Sequence, residues 1–154
     1  MVTDSLPIAS VEERARDIVL ALDGTAYKQG PADPKWRETR SLRIRDEAAS
    51  VVHLRFHAAV DSAQSNGGHR GSPRGTEQVE SELIVAFVYH LRPATHAEDL
   101  RLSNSAAQDV AKAINRDTSA DWSPRFVGIS TDVDTDRGLA RKIVAFSVVH
   151  NIEV

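Results

Sequence analysis

The sequence contains no cysteine. That absence excludes disulfides, thiolate zinc sites and cysteine nucleophiles, and it suits a reducing cytosol or a particle that must survive either redox state. No apolar run approaches the roughly 18 to 20 residues that span a bilayer. The opening MVTDSLPIAS lacks the basic n-region and apolar core of a secretory signal. The expectation is a protein made in the cytoplasm that is not itself a membrane protein. Positive charge is not in excess either: the formal net charge is −3, where a generic nucleic-acid binder is basic overall. There is no Walker-type or dinucleotide glycine motif, because NGGHRG neither follows the required strand nor opens a helix. Six scattered histidines give no readable Ser-His-Asp order. No internal repeat is present.

What is there reads as a single α+β domain over residues 1–154, long enough to bury a core without disulfides or metal. A helix is expected from about Val11 to Asp23, with Ser10 and Glu13 as a capping box and Val11, Ala15, Ile18, Val19 and Leu22 as its apolar stripe. Gly24 ends it. Residues 25–39, which include KQGPADPKW, read as an irregular surface loop or extended lead-in. Strand patterns follow in SLRIRD, SVVHLRFHAAV and VESELIVAFVYHL. The last places Val79, Leu83, Val85, Phe87, Tyr89 and Leu91 on one face and Ile84, Ala86 and Val88 on the other, as in a central strand covered on both sides at its middle. A second helix from about Ala97 to Arg116 buries Leu100, Ala107, Val110, Ala111 and Ile114. Two strands, RFVGISTDV and ARKIVAFSVVHNIEV, close the chain. This order implies an antiparallel sheet with both helices packed on one face.

Two constellations resemble ion sites. His53 and His57 in HLRFH stand four apart, but the surrounding alternation says strand, which sets them roughly 13 Å apart and unable to share one ion. A metal site there needs His90 or His150 from a neighbouring strand. Asp132, Asp134 and Asp136 in TDVDTDRG copy the opening of a calcium loop, yet Arg137 takes the glycine position and Ile143 stands twelfth. A β-hairpin turn built from Asp and Gly accounts for the same letters. Glu12 and Glu13 suit a helix N-terminus, and Glu80 and Glu82 a solvated strand face or, with Glu77, the rim of an interface. Trp36 and Trp122 read as loop residues, either anchors to the body or docking residues, aromatics being enriched at interfaces. No cofactor and no catalytic residue is expected.

The remaining feature is an arm, residues 61–78, around the stretch QSNGGHRGSPRGTEQ. It is polar, rich in Gly and Ser, broken by Pro73, and lies between two strand runs that a short turn would join. His69, Arg70 and Arg74 occupy its middle, while Asp61 and Glu77 lie at its ends. Copies of such an arm around a ring line a channel with positive charge or place Arg against carboxylates of a neighbour; the plain alternative is a floppy surface insertion.

With a long polar arm between two central strands, the order VEERARDIVLALDG, ELIVAFVYHLRP, LRLSNSAAQDVAKAIN and KIVAFSVVHNIEV resembles the tail terminator family of long-tailed bacteriophages. The resemblance is one of element order and length, over nearly the whole chain. It implies a structural virion protein, not an enzyme, forming a hexameric ring that caps the head-proximal end of the tail tube and joins tail to head. Its implied partners are further copies of itself, the tail tube protein, a neck or head-completion protein, and genomic DNA passing through the lumen without sequence recognition. Arg70, Arg74 and His69 would then make interface or lumen contacts, with Trp36 or Trp122 docking. Three other readings stand beside it. One is another neck or head–tail joining protein. A second is a small metal-dependent hydrolase using His53, His57 or His150 with the aspartates, and a third a small-molecule binder with a pocket between helices and sheet.

Overall fold

The structure, a computed structural model, describes residues 5–22, 27–29, 43–46, 51–66, 75–91, 93–136 and 138–154, with side chains for all of these except 27–29, 43–46, 51–55 and 90. In chain order the elements are α1 (Ile8–Leu22), β1 (Tyr27–Gln29), β2 (Arg43–Asp46), β3 (Val51–Ser65), β4 (Thr76–His90), a short 3-10 turn (Pro93–Thr95), α2 (His96–Asn115), β5 (Trp122–Asp134) and β6 (Leu139–Glu153). One sheet holds all the strands in the order β1-β3-β4-β6-β5, with β2 also paired to β3. Every pairing is antiparallel except β1 with β3, which is parallel. The fold is α+β, as the element order implies.

Strand parity decides the core. On β6, Ala140, Lys142, Val144, Phe146, Val148 and His150 are buried, while the odd-numbered residues from Arg141 to Val149 are only partly so. On β4, Val79, Ser81, Leu83, Val85, Phe87 and Tyr89 are buried on the same face. Val11, Ala15 and Val19 of α1 and Ala107, Val110 and Ile114 of α2 close over them, at helical spacings of three and four. Helix α1 lies against β3 and α2 against β6 and β5, and the two helices touch. The opposite face of β4 is covered at its middle too, with Ile84, Ala86 and Val88 about 95% buried.

Several boundaries differ from the sequence expectation. Helix α1 starts at Ile8, and the Ser10 amide donates to the Pro7 carbonyl at 2.9 Å, so Ser10 sits inside the first turn rather than at a capping box. Proline just ahead of a helix has its φ already set for that turn. Tyr27–Gln29, within the expected lead-in, pairs with Leu54–Phe56 of β3. The largest change concerns the arm. Strand β3 continues to Ser65 and β4 begins at Thr76, with Ser62 opposite Glu82, Gln64 opposite Glu80 and Ser65 opposite Val79. Polar residues form strand here because β4 is paired on both sides: Thr76 to Glu80 also run beside Glu153 to Val149 of β6. Ladder hydrogen bonds, not side-chain alternation, carry this end. The connection shrinks to 66–75, and its ends are tied down: the Asn66 amide donates to Gln78 O at 2.9 Å and the Val154 amide to Gly75 O at 2.8 Å.

A bulge at Asp61 interrupts the β3–β4 register between Val60 and Ser62. Glu12 of α1 meets it, its Oε2 accepting the Val60 amide at 2.8 Å. At the other side of the sheet, β5 pairs only with β6 among the described residues. Its edge is blunted in three ways: Pro124 lacks an amide, a register shift falls between Phe126 and Gly128, and Asn115 Oδ1 accepts the Phe126 amide at 2.8 Å.

Candidate functional site

His69, Arg70 and Arg74 lie outside the described residues, as does Trp36. Trp122 is not a loop residue. It opens β5 opposite His150, is 3% exposed, and donates from Nε1 to Asp117 Oδ1 at 2.7 Å. The Arg14 guanidinium stands 5.4 Å from its ring centroid and binds both oxygens of Asp121, with Nη2 to Oδ2 at 2.8 Å. Those hydrogen bonds hold the Asp121 carboxyl below its ordinary range. The indole thus pins α1 to the segment after α2, and its surface is not offered to a partner.

The histidines and aspartates do not converge. Asp134 pairs with Leu139 at one end of β6, while His150 lies eleven residues further along, roughly 36 Å at about 3.3 Å per residue. Asp132 faces Arg141, with 3.4 Å between Oδ2 and Nη1, and Gly138 at φ 64° turns the β5–β6 hairpin. The turn reading of TDVDTDRG therefore describes the chain. Among the described residues no group of three or more His, Asp and Glu is placed to hold a metal ion. His57 is partly buried on β3, opposite Ala86, and the His53 side chain lies outside the described set.

His150 is a core residue. Its Nδ1 is 2.7 Å from the Leu6 carbonyl and its Nε2 2.6 Å from Ser81 Oγ. A carbonyl only accepts, so Nδ1 carries the proton, and the Ser81 hydroxyl donates to the Nε2 lone pair. The pair has the form of a nucleophile and its base, but both residues are fully buried, and its evident work is to hold the N-terminal segment on the sheet. The Leu6 amide returns the bond to Asn151 O at 2.8 Å. Burial lowers the His150 pKa, with the Leu6 bond opposing in part. The unfolded chain protonates near the usual value of about 6.5 while the folded one resists. Stability is therefore full above about pH 6.5 and falls as the pH drops below it, until the folded histidine also protonates. Melting temperature measured from pH 7.5 down to 5 should decline from near 6.5, and His150→Gln should flatten that limb.

On the face away from the helices, the distal parts of β3, β4, β6 and β5 form an open groove of about 350 Å³. Glu80 and Glu82 project from β4, Ser62 and Gln64 from β3, Ser147 from β6, and Arg125 closes the β5 side. Both glutamates are exposed, and Glu80 accepts a hydrogen bond from Ser147 Oγ. At the sheet's edge, β5 exposes Val127 (60%) to the groove and Phe126 (40%), Ile129 and Val133 on the helix side, opposite Phe146, Val144 and Ala140. These four are over half of the exposed large hydrophobics among the described residues, and they concentrate on one edge strand. Nothing in the sequence reading singled them out, although Pro124 and Gly128 inside one strand pattern are the letters of an edge and a bulge. No described helix is long and apolar enough to cross a membrane. No family model matches the chain, and no curated protein matches it.

Proposed function

We propose that the chain is a structural virion protein, a tail terminator that caps the head-proximal end of a long phage tail as a hexameric ring and joins tail to head. The observation that carries the reading is the architecture itself. A helix, a long central hairpin with a connection at its tip, a second helix and a closing hairpin follow one another in the order of the resemblance. The ends of the sheet suit a head-to-tail ring, in which each copy offers two different surfaces to its neighbours. One is the tip of the β3–β4 hairpin with its basic connection. The other is β5, with Phe126, Val127, Ile129 and Val133 exposed. Its partners are then the tail tube protein below, a neck or head-completion protein above, and DNA in the lumen.

Native mass spectrometry across concentration, with and without magnesium, tests this directly. A hexamer free of transition metal is the expected spectrum. A monomer or dimer that retains a stoichiometric transition metal overturns the reading in favour of a hydrolase.

A further inference from the structure

We infer that the outer stripe of α2 in one copy, through Lys112 and Arg116, docks in the groove of Glu80 and Glu82 on the next copy. The inference rests on the assembly reading above and names one contact within it. The stripe follows from helical spacing. Ser103, Ala107, Val110 and Ile114 are buried, which turns Ser105, Asp109, Lys112 and Arg116 to the outside at spacings of four, three and four. All four of these are exposed. Among the described residues neither Lys112 nor Arg116 has an ion-pair partner, whereas Arg101, near the other end of the helix, is paired with Glu98.

Charge and spacing match. Lys112 and Arg116 stand about one turn apart, roughly 6 Å along the helix axis. Glu80 and Glu82 stand two residues apart on one face of β4, roughly 7 Å. Glu82 has no ion-pair partner among the described residues, and Glu80 accepts from the Ser147 hydroxyl. Ser62, Ala145 and Ser147 are small, and leave the groove open to two long side chains. The pattern also fixes direction. Arg125 lies across Ser147 from Glu82, and Asp109, one turn before Lys112, supplies its counter-charge. A helix entering the other way sets Asp109 against the glutamates and a cation against Arg125.

The occupant is a second copy because a chain cannot fill this groove with its own helix. Helix α2 packs on the opposite face of the sheet, against β6 and β5. Strand β4 lies two strands in from the β5 edge, roughly 10 Å. The two surfaces face away from each other on one chain and meet only between chains. Because they differ, the contact is heterologous and passes from copy to copy, as a ring requires.

Two full-length variants test the contact. One carries Glu80→Lys with Glu82→Lys, the other Lys112→Glu with Arg116→Glu. All four positions are exposed, so circular dichroism and melting temperature should match those of the parent. Each variant alone brings like charges together and should need roughly a hundredfold more protein to assemble. Mixed in equal amounts they should recover assembly, since each then meets only its complement, and native mass spectrometry should count the two chains in equal numbers. Variants that each form normal hexamers alone overturn this contact and leave the ring reading standing. Loss on reversing the groove but not the helix also overturns it, by giving the groove another occupant. So does a folded mixture that stays dispersed. A parent chain that is monomeric at every concentration sinks both readings.

Discussion

Trp122→Ala should cost about 3 to 5 kcal/mol of unfolding free energy, the range for truncating a buried large aromatic. For a chain of this size that is a fall of roughly 6 to 20 °C in melting temperature. The size of the effect follows from what the ring does. It is 3% exposed, lies under the Arg14 guanidinium, and donates its N–H to Asp117. Its removal opens a cavity at the α1 contact, ends a cation–π interaction, and leaves the Asp117 side chain with the Ser119 amide. Trp122→Phe keeps part of the packing and gives up the indole N–H, so it should cost less, about 1 to 2 kcal/mol. Urea unfolding of both variants separates the two contributions. A Trp122→Ala chain as stable as its parent but unable to assemble would return the residue to the docking role.

That residue shows where the sequence was silent. A tryptophan after DTSAD carries no mark of burial, because the strand it opens is recognisable only through its partner, His150 of β6. Local pattern was enough where one face of an element is apolar and long. The odd-numbered run from Leu83 to Leu91, the stripe from Ala107 to Ile114 and the Asp-rich turn before Gly138 all stand where their spacing put them. It failed where pairing, not hydrophobicity, makes the strand. Ser62 to Ser65 and Thr76 to Gln78 are polar on both faces, and only the neighbouring strands hold them in the sheet. The same limit hid the groove, since Glu80, Glu82, Ser147 and Arg125 come from three strands whose register no single segment encodes. Lys142 and His150 were legible in one respect. They share parity with Ala140, Val144, Phe146 and Val148, and alternation alone assigns both to the buried face.

Lys142→Met should stabilise the chain at neutral pH, by about 1 to 4 kcal/mol if it follows other replacements of buried ionic groups by apolar residues of similar volume. Lys142 is 1% exposed, and its Nζ donates to Asn104 Oδ1 on α2 and Thr131 Oγ1 on β5. Among the described residues it has no carboxylate partner. Burial lowers its pKa, so the folded protein releases this proton before the unfolded chain does. Between the lowered value and the ordinary one of about 10.4, the unfolded state binds more protons, and stability rises with pH across that window. Methionine keeps the unbranched length and removes the charge. Asn104 and Thr131 are exposed enough to bond water in its place. The advantage of Lys142→Met over the parent should therefore be largest at pH 7 and shrink as the pH approaches 10, read from paired denaturation curves. A constant difference across that range would mean that the lysine is held as an ammonium throughout. A less stable variant would mean that its two hydrogen bonds outweigh the cost of burying the charge, making Lys142 a strut between α2 and the edge strand.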